Sequence, residues 1–251
     1  MSTEDERFDL EKQQNIARMG ADHDLKTFSR SWQRKVEEYK YVYNFSWLGR
    51  PIIQLPQDVF ALQELIWTVQ PDLIVETGIA RGGSLIFSAS MLELNAACGG
   101  STDAEVVGID IDIRTHNREA IEAHPLFKRI SMIEGPSMAP ETIEQVKAKA
   151  SNRQRAMVIL DSNHTHEHVL CELQAYAPLV SLGSYCVVFD TAIEEQPAEM
   201  FSDRPWGPGN SPKTALYEFL KTTDCFEIDR SISDKLSITV APDGYLRRVK
   251  E

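Results

Sequence analysis

No apolar run in the chain approaches the length of a membrane-spanning helix, so a helical membrane protein is not expected. Cations are in short supply. The 26 Lys and Arg residues face 38 Asp and Glu, leaving a net charge of −12. That balance argues against nucleic acid and anionic membrane surfaces as main partners. Cysteine is scarce as well: Cys98, Cys171, Cys186 and Cys225 are scattered, with no C-x-x-C pair. They read as reduced, mostly buried thiols of a cytoplasmic protein. The opening residues, MSTEDERFDLEKQQ, are too acidic and polar for a signal peptide. Internal repeats and low-complexity tracts are lacking. What remains is a chain of 251 residues with 42% hydrophobic content, which suits one large α/β domain with additions.

The most informative stretch runs from Asp72 to Ser84, DLIVETGIARGGS. Leu73, Ile74 and Val75 read as a buried parallel strand. Glu76, Gly78, Gly82 and Gly83 form a turn, and Leu85 to Leu92 continues with helical spacing. Strand, glycine turn and helix open a nucleotide-binding α/β unit. Glycines here are expected to let the chain turn tightly and a ligand approach the backbone. The spacing is not the G-x-G-x-x-G of dinucleotide sites, and Glu76 at the strand end would repel a pyrophosphate. A carboxylate there suits a positively charged ligand. S-adenosylmethionine, with an ammonium, a sulfonium and no phosphate, fits.

Later strands repeat the pattern. Val106 to Asp110 ends in an acid suited to ribose hydroxyls, 34 residues beyond Glu76. Arg129 to Glu134 is a third strand, with Gly135-Pro136-Ser137 as its turn. Ala156 to Asp161 and Ser184 to Asp190 are the fourth and fifth, each ending in an aspartate. Ligands of open α/β sheets bind at the carboxyl ends of strands, so these acids mark the expected site. Helices are predicted around 18–43, 57–69, 84–94, 114–123, 140–150, 162–176 and 213–221. Residues 226–229 and 236–240 read as last strands, 242–245 as a turn and 246–251 as a basic tail. The long stretch 191–212, rich in Pro, Gly and acids, reads as a substrate lid that is mobile without substrate. Trp206 and the aromatic residues near Trp47 are candidate walls for a sugar ring, although the aromatic cluster of residues 32–47 also suits packing on the domain or across a dimer.

The segment Asp161 to His168, DSNHTHEH, holds three of six histidines. His164 and His168 are four apart and are expected to share a helix face, but no H-E-x-x-H pattern supports zinc. His166 and His168 read as surface or structural residues. Asp161 and His164 can face one cleft, as a carboxylate ligand and a base for metal-assisted deprotonation of a hydroxyl.

The segments VETGIARGGS, LDSNHTHEHV and FDT followed by a long loop resemble the cephalosporin hydroxylase family, which includes rhamnosyl O-methyltransferases. The resemblance spans roughly residues 40–248. It implies a class I S-adenosylmethionine-dependent methyltransferase: a Rossmann-like, doubly wound, mostly parallel seven-stranded sheet in residues 51–251, preceded by an N-terminal helical extension in 1–50. It implies cofactor contacts from Glu76, Gly78, Arg81, Gly82, Ser84, Asp110, Ser137 and Asp161. It also implies a Mg²⁺ held by Asp161 and Asp190, with His164 as catalytic base. The chain departs from metal-dependent relatives in having Phe189-Asp190 where they carry Glu-Asp. Glu194, Glu195 or water would then stand in for the missing ligand.

Three functions compete at this level. The first is O-methylation of a sugar, glycolipid or other small metabolite by a homo-oligomeric cytoplasmic enzyme. The second is an auxiliary S-adenosylmethionine-binding subunit of a hydroxylase or methoxylase system. The third is a true hydroxylase, whose iron would want two histidines and one carboxylate.

Overall fold

The computed structural model describes residues 3–251. Two helices, α1 (Thr3–Ala21) and α2 (His23–Glu37), lead the chain. A hairpin of β1 (Phe45–Trp47) and β2 (Arg50–Ile52) follows. The rest alternates: α3 (Pro56–Val69), β3 (Leu73–Thr77), α4 (Gly83–Ala97), β4 (Glu105–Asp110), α5 (Thr115–Glu122) and β5 (Ile130–Glu134). Then come α6 (Pro140–Ala150), β6 (Ala156–Leu160), α7 (His166–Tyr176), β7 (Tyr185–Val188), α8 (Pro212–Phe219), β8 (Phe226–Ile228), α9 (Arg230–Leu236) and β9 (Tyr245–Arg248).

A seven-stranded sheet runs β5-β4-β3-β6-β7-β9-β8. β5 to β7 are parallel, and β9 pairs antiparallel with both β7 and β8. The central strands LIVET and AMVIL are buried throughout, because helices cover both faces of the sheet. Alternate side chains serve the two layers. Ile74, Val106, Met157 and Ile159 pack with Ile66, Leu85 and Phe87 on one side. Leu73, Val75, Val158 and Leu160 pack with Val146, Leu173 and Leu216 on the other.

The strand order reverses between β3 and β6, which are neighbours. Thr77 pairs with both Ile109 and Leu160, and Leu160 pairs with Val188. This register brings Gly78, Asp110, Asp161 and Asp190 out at one edge of the sheet, at the switch point where such folds bind ligands.

Several boundaries differ from expectation. Residues 236–240 are not a strand. Asp229 caps a helix instead, its Oδ1 accepting from Ser231 N, and the chain leaves that helix at Ser237 with φ 61°. The last strand is Tyr245–Arg248, in the expected turn and basic tail. Tyr245 and Leu246 are fully buried there, so the strand that joins β7 to β8 comes from a segment that looks polar. α7 starts at His166 rather than Ser162. Of the cysteines only Cys186 is buried; Cys98 is exposed, and Cys171 and Cys225 lie between. Among the described residues, no helix is long and apolar enough to cross a membrane.

Candidate active site

The turn after β3 is shaped by close packing. Gly78 has φ 91°, and a Cβ there would lie 2.1 Å from the Asp161 carbonyl oxygen. At Gly82, φ 80°, a Cβ would meet Ile121. Both positions therefore let neighbouring chain come close. Ala80 holds a left-handed conformation without being glycine, φ 45°. Asp110 explains how: its Oδ2 accepts from Ile79 N at 2.8 Å and Ala80 N at 3.2 Å. The acid expected at the ribose thus also fixes the turn. Arg81 is exposed, and its carbonyl accepts from the Arg50 guanidinium.

Glu76 is 1% exposed. One carboxylate oxygen accepts from Ser84 Oγ, and the other, Oε2, has no partner. Burial pushes its carboxyl up to about 7, against the opposing hydrogen bond of Ser84. A buried acid with an orphaned oxygen suits a ligand ammonium, so the residues fit S-adenosylmethionine.

Ser137 joins a polar knot. His168 Nε2 lies 3.2 Å from Ser137 Oγ, 3.0 Å from Ser162 Oγ and 3.1 Å from Glu172 Oε1. Ser162 Oγ donates to Glu172 Oε1, and Thr77 Oγ1 to Glu172 Oε2. Glu172 is fully buried. The knot ties together the chain beyond β3, β5 and β6. His168 is thus part of the frame behind the site, and His166, bonded to Thr214 Oγ1 and 3.2 Å from Glu218, joins α7 to α8.

Asp161, His164 and Asp190 converge, each offering an atom within 4.8 Å of the others. His164 Nε2 is 3.4 Å from Asp190 Oδ2. His164 and His168 do not share a helix face, because His164 sits in the loop ahead of α7. That loop is held by Asn163 Oδ1, which accepts from Thr165 N and Oγ1. Asp190 takes a left-handed backbone, φ 56°, a strained conformation that aspartate tolerates better than most residues. Gln54 Nε2 donates to Asp161 Oδ2 at 2.9 Å. Burial, then the charges of Asp190, Glu76 and Glu172, hold the Asp161 carboxyl well above its ordinary value. A cation would relieve that crowding, and two carboxylates suit a hard ion such as Mg²⁺. One imidazole with two carboxylates is the inverse of the iron triad a hydroxylase wants. Glu194 and Glu195 do not stand in for the missing acid. Glu194 accepts from Gly209 N and Ser211 Oγ, and Glu195 pairs with Lys213 and Arg30. Phe189 is buried in the core.

Over this cluster lies a cavity of about 600 Å³. Its walls include Glu37, Tyr41, Tyr43, Gln54 and, from the loop 191–212, Met200, Phe201, Arg204 and Trp206. The loop carries two short 3₁₀ turns, Thr191–Glu195 and Ala198–Phe201, and its hydrogen bonds brace it more fully than its sequence suggests. Trp206 packs edge-on against His164. Trp47 is no part of the wall: it packs on Phe87 and donates to Ser90 Oγ. Gln54, Glu37 and Glu172 had no motif to announce them; only the i, i+4 spacing of His168 and Glu172 hinted at a contact.

Several known proteins resemble this chain. A rhamnosyl O-methyltransferase of Mycobacterium leprae is 30% identical over 221 residues, covering 84% of this chain and 90% of its own length. One from Mycobacterium tuberculosis is 28% identical over 244 residues, 93% of each chain. The solved structure of CmcI with SAH aligns at TM-score 0.57 and 20% identity, over 82% of this chain and 83% of that one. CmcI with Mg and SAM aligns at 0.54 and 21%, over 83% and 78%. These structures share the fold. Residues 39–249 match the Rhamnosyl O-methyltransferase/CmcI family model, and the chain belongs to that family of class I S-adenosylmethionine-dependent O-methyltransferases.

Proposed function

We propose that the protein methylates a hydroxyl of a sugar or glycoconjugate at the Asp161–His164–Asp190 cluster. The observation that carries this reading is the convergence of those three groups on the floor of an acceptor-sized cavity, at the switch point of the sheet. The rhamnosyl acceptor named for two relatives supports a sugar here as well.

An alcohol is a poor nucleophile while it keeps its proton. S-adenosylmethionine, when bound, supplies the methyl group on a positively charged sulfur. His164 Nε2 is the base that takes the hydroxyl proton, since imidazole is the side chain that ordinarily titrates nearest neutral pH. Asp190 Oδ2, 3.4 Å from that same nitrogen, accepts from it and stabilises the imidazolium once the proton has been taken. Trp206 limits how the ring can turn. Glu76 would hold the cofactor's ammonium, and Gly78, Arg81, Gly82, Ser84, Asp110 and Ser137 would form or frame the rest of that side. Asp161 and Asp190 would hold a Mg²⁺, which supplies Lewis acidity that makes a hydroxyl easier to deprotonate.

The test is methyl transfer from labelled S-adenosylmethionine to a panel of glycosides, rhamnosides included. Wild type is expected to methylate at least one. His164→Ala should lower kcat by about two to four powers of ten with cofactor affinity retained. Near-normal turnover by that variant would remove the base assignment.

A further inference from the structure

The cavity is acidic. Glu37, Asp161, Asp190 and Asp203 line it, against the single guanidinium of Arg204. Three of these carboxylates are accounted for. Asp161 accepts from Gln54, Asp190 faces His164, and Asp203 lies 3.9 Å from Arg204. Glu37 is different: among the described residues its carboxylate makes no hydrogen bond or ion pair, while its backbone carbonyl accepts from Lys40 N. Burial and the charge of Asp190 raise its carboxyl above the ordinary value, with Arg204 and Lys40 opposing. Glu37 is exposed at the mouth of the cavity, so its carboxylate is free to accept from a ligand bound there.

Its position is firmly set. Glu37 ends α2, and α2 is pinned along one side. Ser29 Oγ meets Ser237 Oγ at 2.9 Å, and Gln33 Nε2 donates to the Thr239 carbonyl at 2.8 Å. Arg30 pairs with Glu195 and Arg34 Nε donates to Gln196 Oε1, so the helix is also tied to the base of the loop that covers the site. Beyond Glu37 the chain turns to present Tyr41 and Tyr43 to the same cavity, with Trp206 and Phe201 contributed by the loop. Aromatic faces beside carboxylates suit a sugar ring, which offers C–H faces to the one and O–H donors to the other.

We propose that Glu37 is an acceptor-binding residue, taking hydrogen bonds from ring hydroxyls that are not methylated and so choosing which hydroxyl meets His164. The proposal rests on the sugar-acceptor reading above. It also assigns a role to the N-terminal helices, because Glu37 lies ahead of residues 39–249, the part matched by the family model. Each carboxylate oxygen can accept from one hydroxyl of a vicinal pair, a charge-assisted arrangement that is lost when the carboxylate is removed.

The experiment compares wild type, Glu37→Ala and Glu37→Asp with 4-nitrophenyl α-L-rhamnopyranoside as acceptor. Product position is read by NMR, and S-adenosylhomocysteine affinity by calorimetry. The expected result for Glu37→Ala is an acceptor KM raised by about tenfold to a hundredfold, as for loss of a hydrogen bond to a charged group. Loss of a single product regiochemistry should accompany it, with cofactor affinity unchanged and partial rescue in Glu37→Asp. Unchanged acceptor KM and unchanged product position in Glu37→Ala would overturn the proposal. So would an equal loss of cofactor affinity, which marks a structural role. If wild type methylates neither this rhamnoside nor any other glycoside, the sugar reading itself fails, a result seen without any variant.

Discussion

Trp206 stands edge-on to His164, with ring centroids 4.7 Å apart and planes at 88°. Arg204 lies over the same indole, 5.5 Å from its centroid. The loop residue thus touches His164 rather than merely roofing the cavity. An edge-to-face pair is worth about 0.5–1.5 kcal/mol beyond area burial, or roughly twofold to tenfold in the population of the aligned ring. Trp206→Ala should therefore lower kcat and raise acceptor KM by such factors, while S-adenosylhomocysteine binds as before. Trp206→Phe should recover most of the loss. Parallel loss of cofactor affinity would show that the loop braces the whole domain.

Glu76 carries a pH dependence with a definite sign. Burial lifts its carboxyl to about 7 in the ligand-free protein, so below that pH it is mostly protonated. A cofactor ammonium favours the ionised form. Binding must then expel a proton at low pH and need not at high pH. Affinity for S-adenosylhomocysteine should fall by up to about tenfold per pH unit below 7 and level off above it. Calorimetry in buffers of different ionisation enthalpy should show about one proton released at pH 6. Glu76→Gln should flatten the profile. A flat wild-type profile would separate Glu76 from the ammonium.

The sequence made the sheet legible where burial on both faces leaves an unbroken apolar run, as in Leu73–Val75 and Ala156–Leu160. Acids at the ends of such runs then marked Asp161 and Asp190. Legibility failed where position depends on tertiary register. Glu37, Gln54 and Glu172 come from helices and a loop whose local sequence says nothing about the sheet edge. Tyr245–Arg248 was hidden for another reason. It is short, only Tyr245 and Leu246 are buried, and Arg247 and Arg248 gave it the look of a polar tail. The glycines were found from the motif, but the packing that needs them was not: Gly78 and Gly82 make room for Asp161 and Ile121.

Asp58 links stability to pH. It is fully buried at the start of α3, and accepts from Thr239 Oγ1, Tyr245 OH and Val240 N. Burial still prevails over these bonds and lifts its carboxyl from 3.8 to about 6. The folded state therefore binds the proton more tightly than the unfolded state. No contribution arises below the unfolded value, and stability falls as pH rises from about 4 to about 6. The loss is on the order of 3 kcal/mol for a shift of this size. Asp58→Asn should remove this part of the slope. It should also destabilise at every pH, since an amide nitrogen cannot accept what a carboxylate oxygen accepts. Urea midpoints of the ligand-free protein between pH 4 and 7 test both points, and an unchanged slope in the variant would acquit Asp58.

Metal binding is the last case, and Gln54 is its most discriminating probe. Its amide nitrogen holds Asp161 Oδ2, yet it offers no charge. If Asp161 and Asp190 ligate Mg²⁺, Gln54 acts as an outer partner that aims a ligand, and such partners are commonly worth about tenfold to a hundredfold in affinity or activity. Gln54→Ala should weaken Mg²⁺ binding to the S-adenosylhomocysteine-loaded enzyme by that factor. Asp161→Asn should abolish the binding. Affinity should also rise with pH, because Asp161 is held well above its ordinary value and a cation must displace its proton. Binding is expected to be weak in wild type, since Phe189 lies in the core and Glu194 and Glu195 are engaged elsewhere. Activity should accordingly depend on added metal. Full turnover in excess EDTA would strike the ion from the mechanism, and the carboxylates would then be left to position His164 and the acceptor alone.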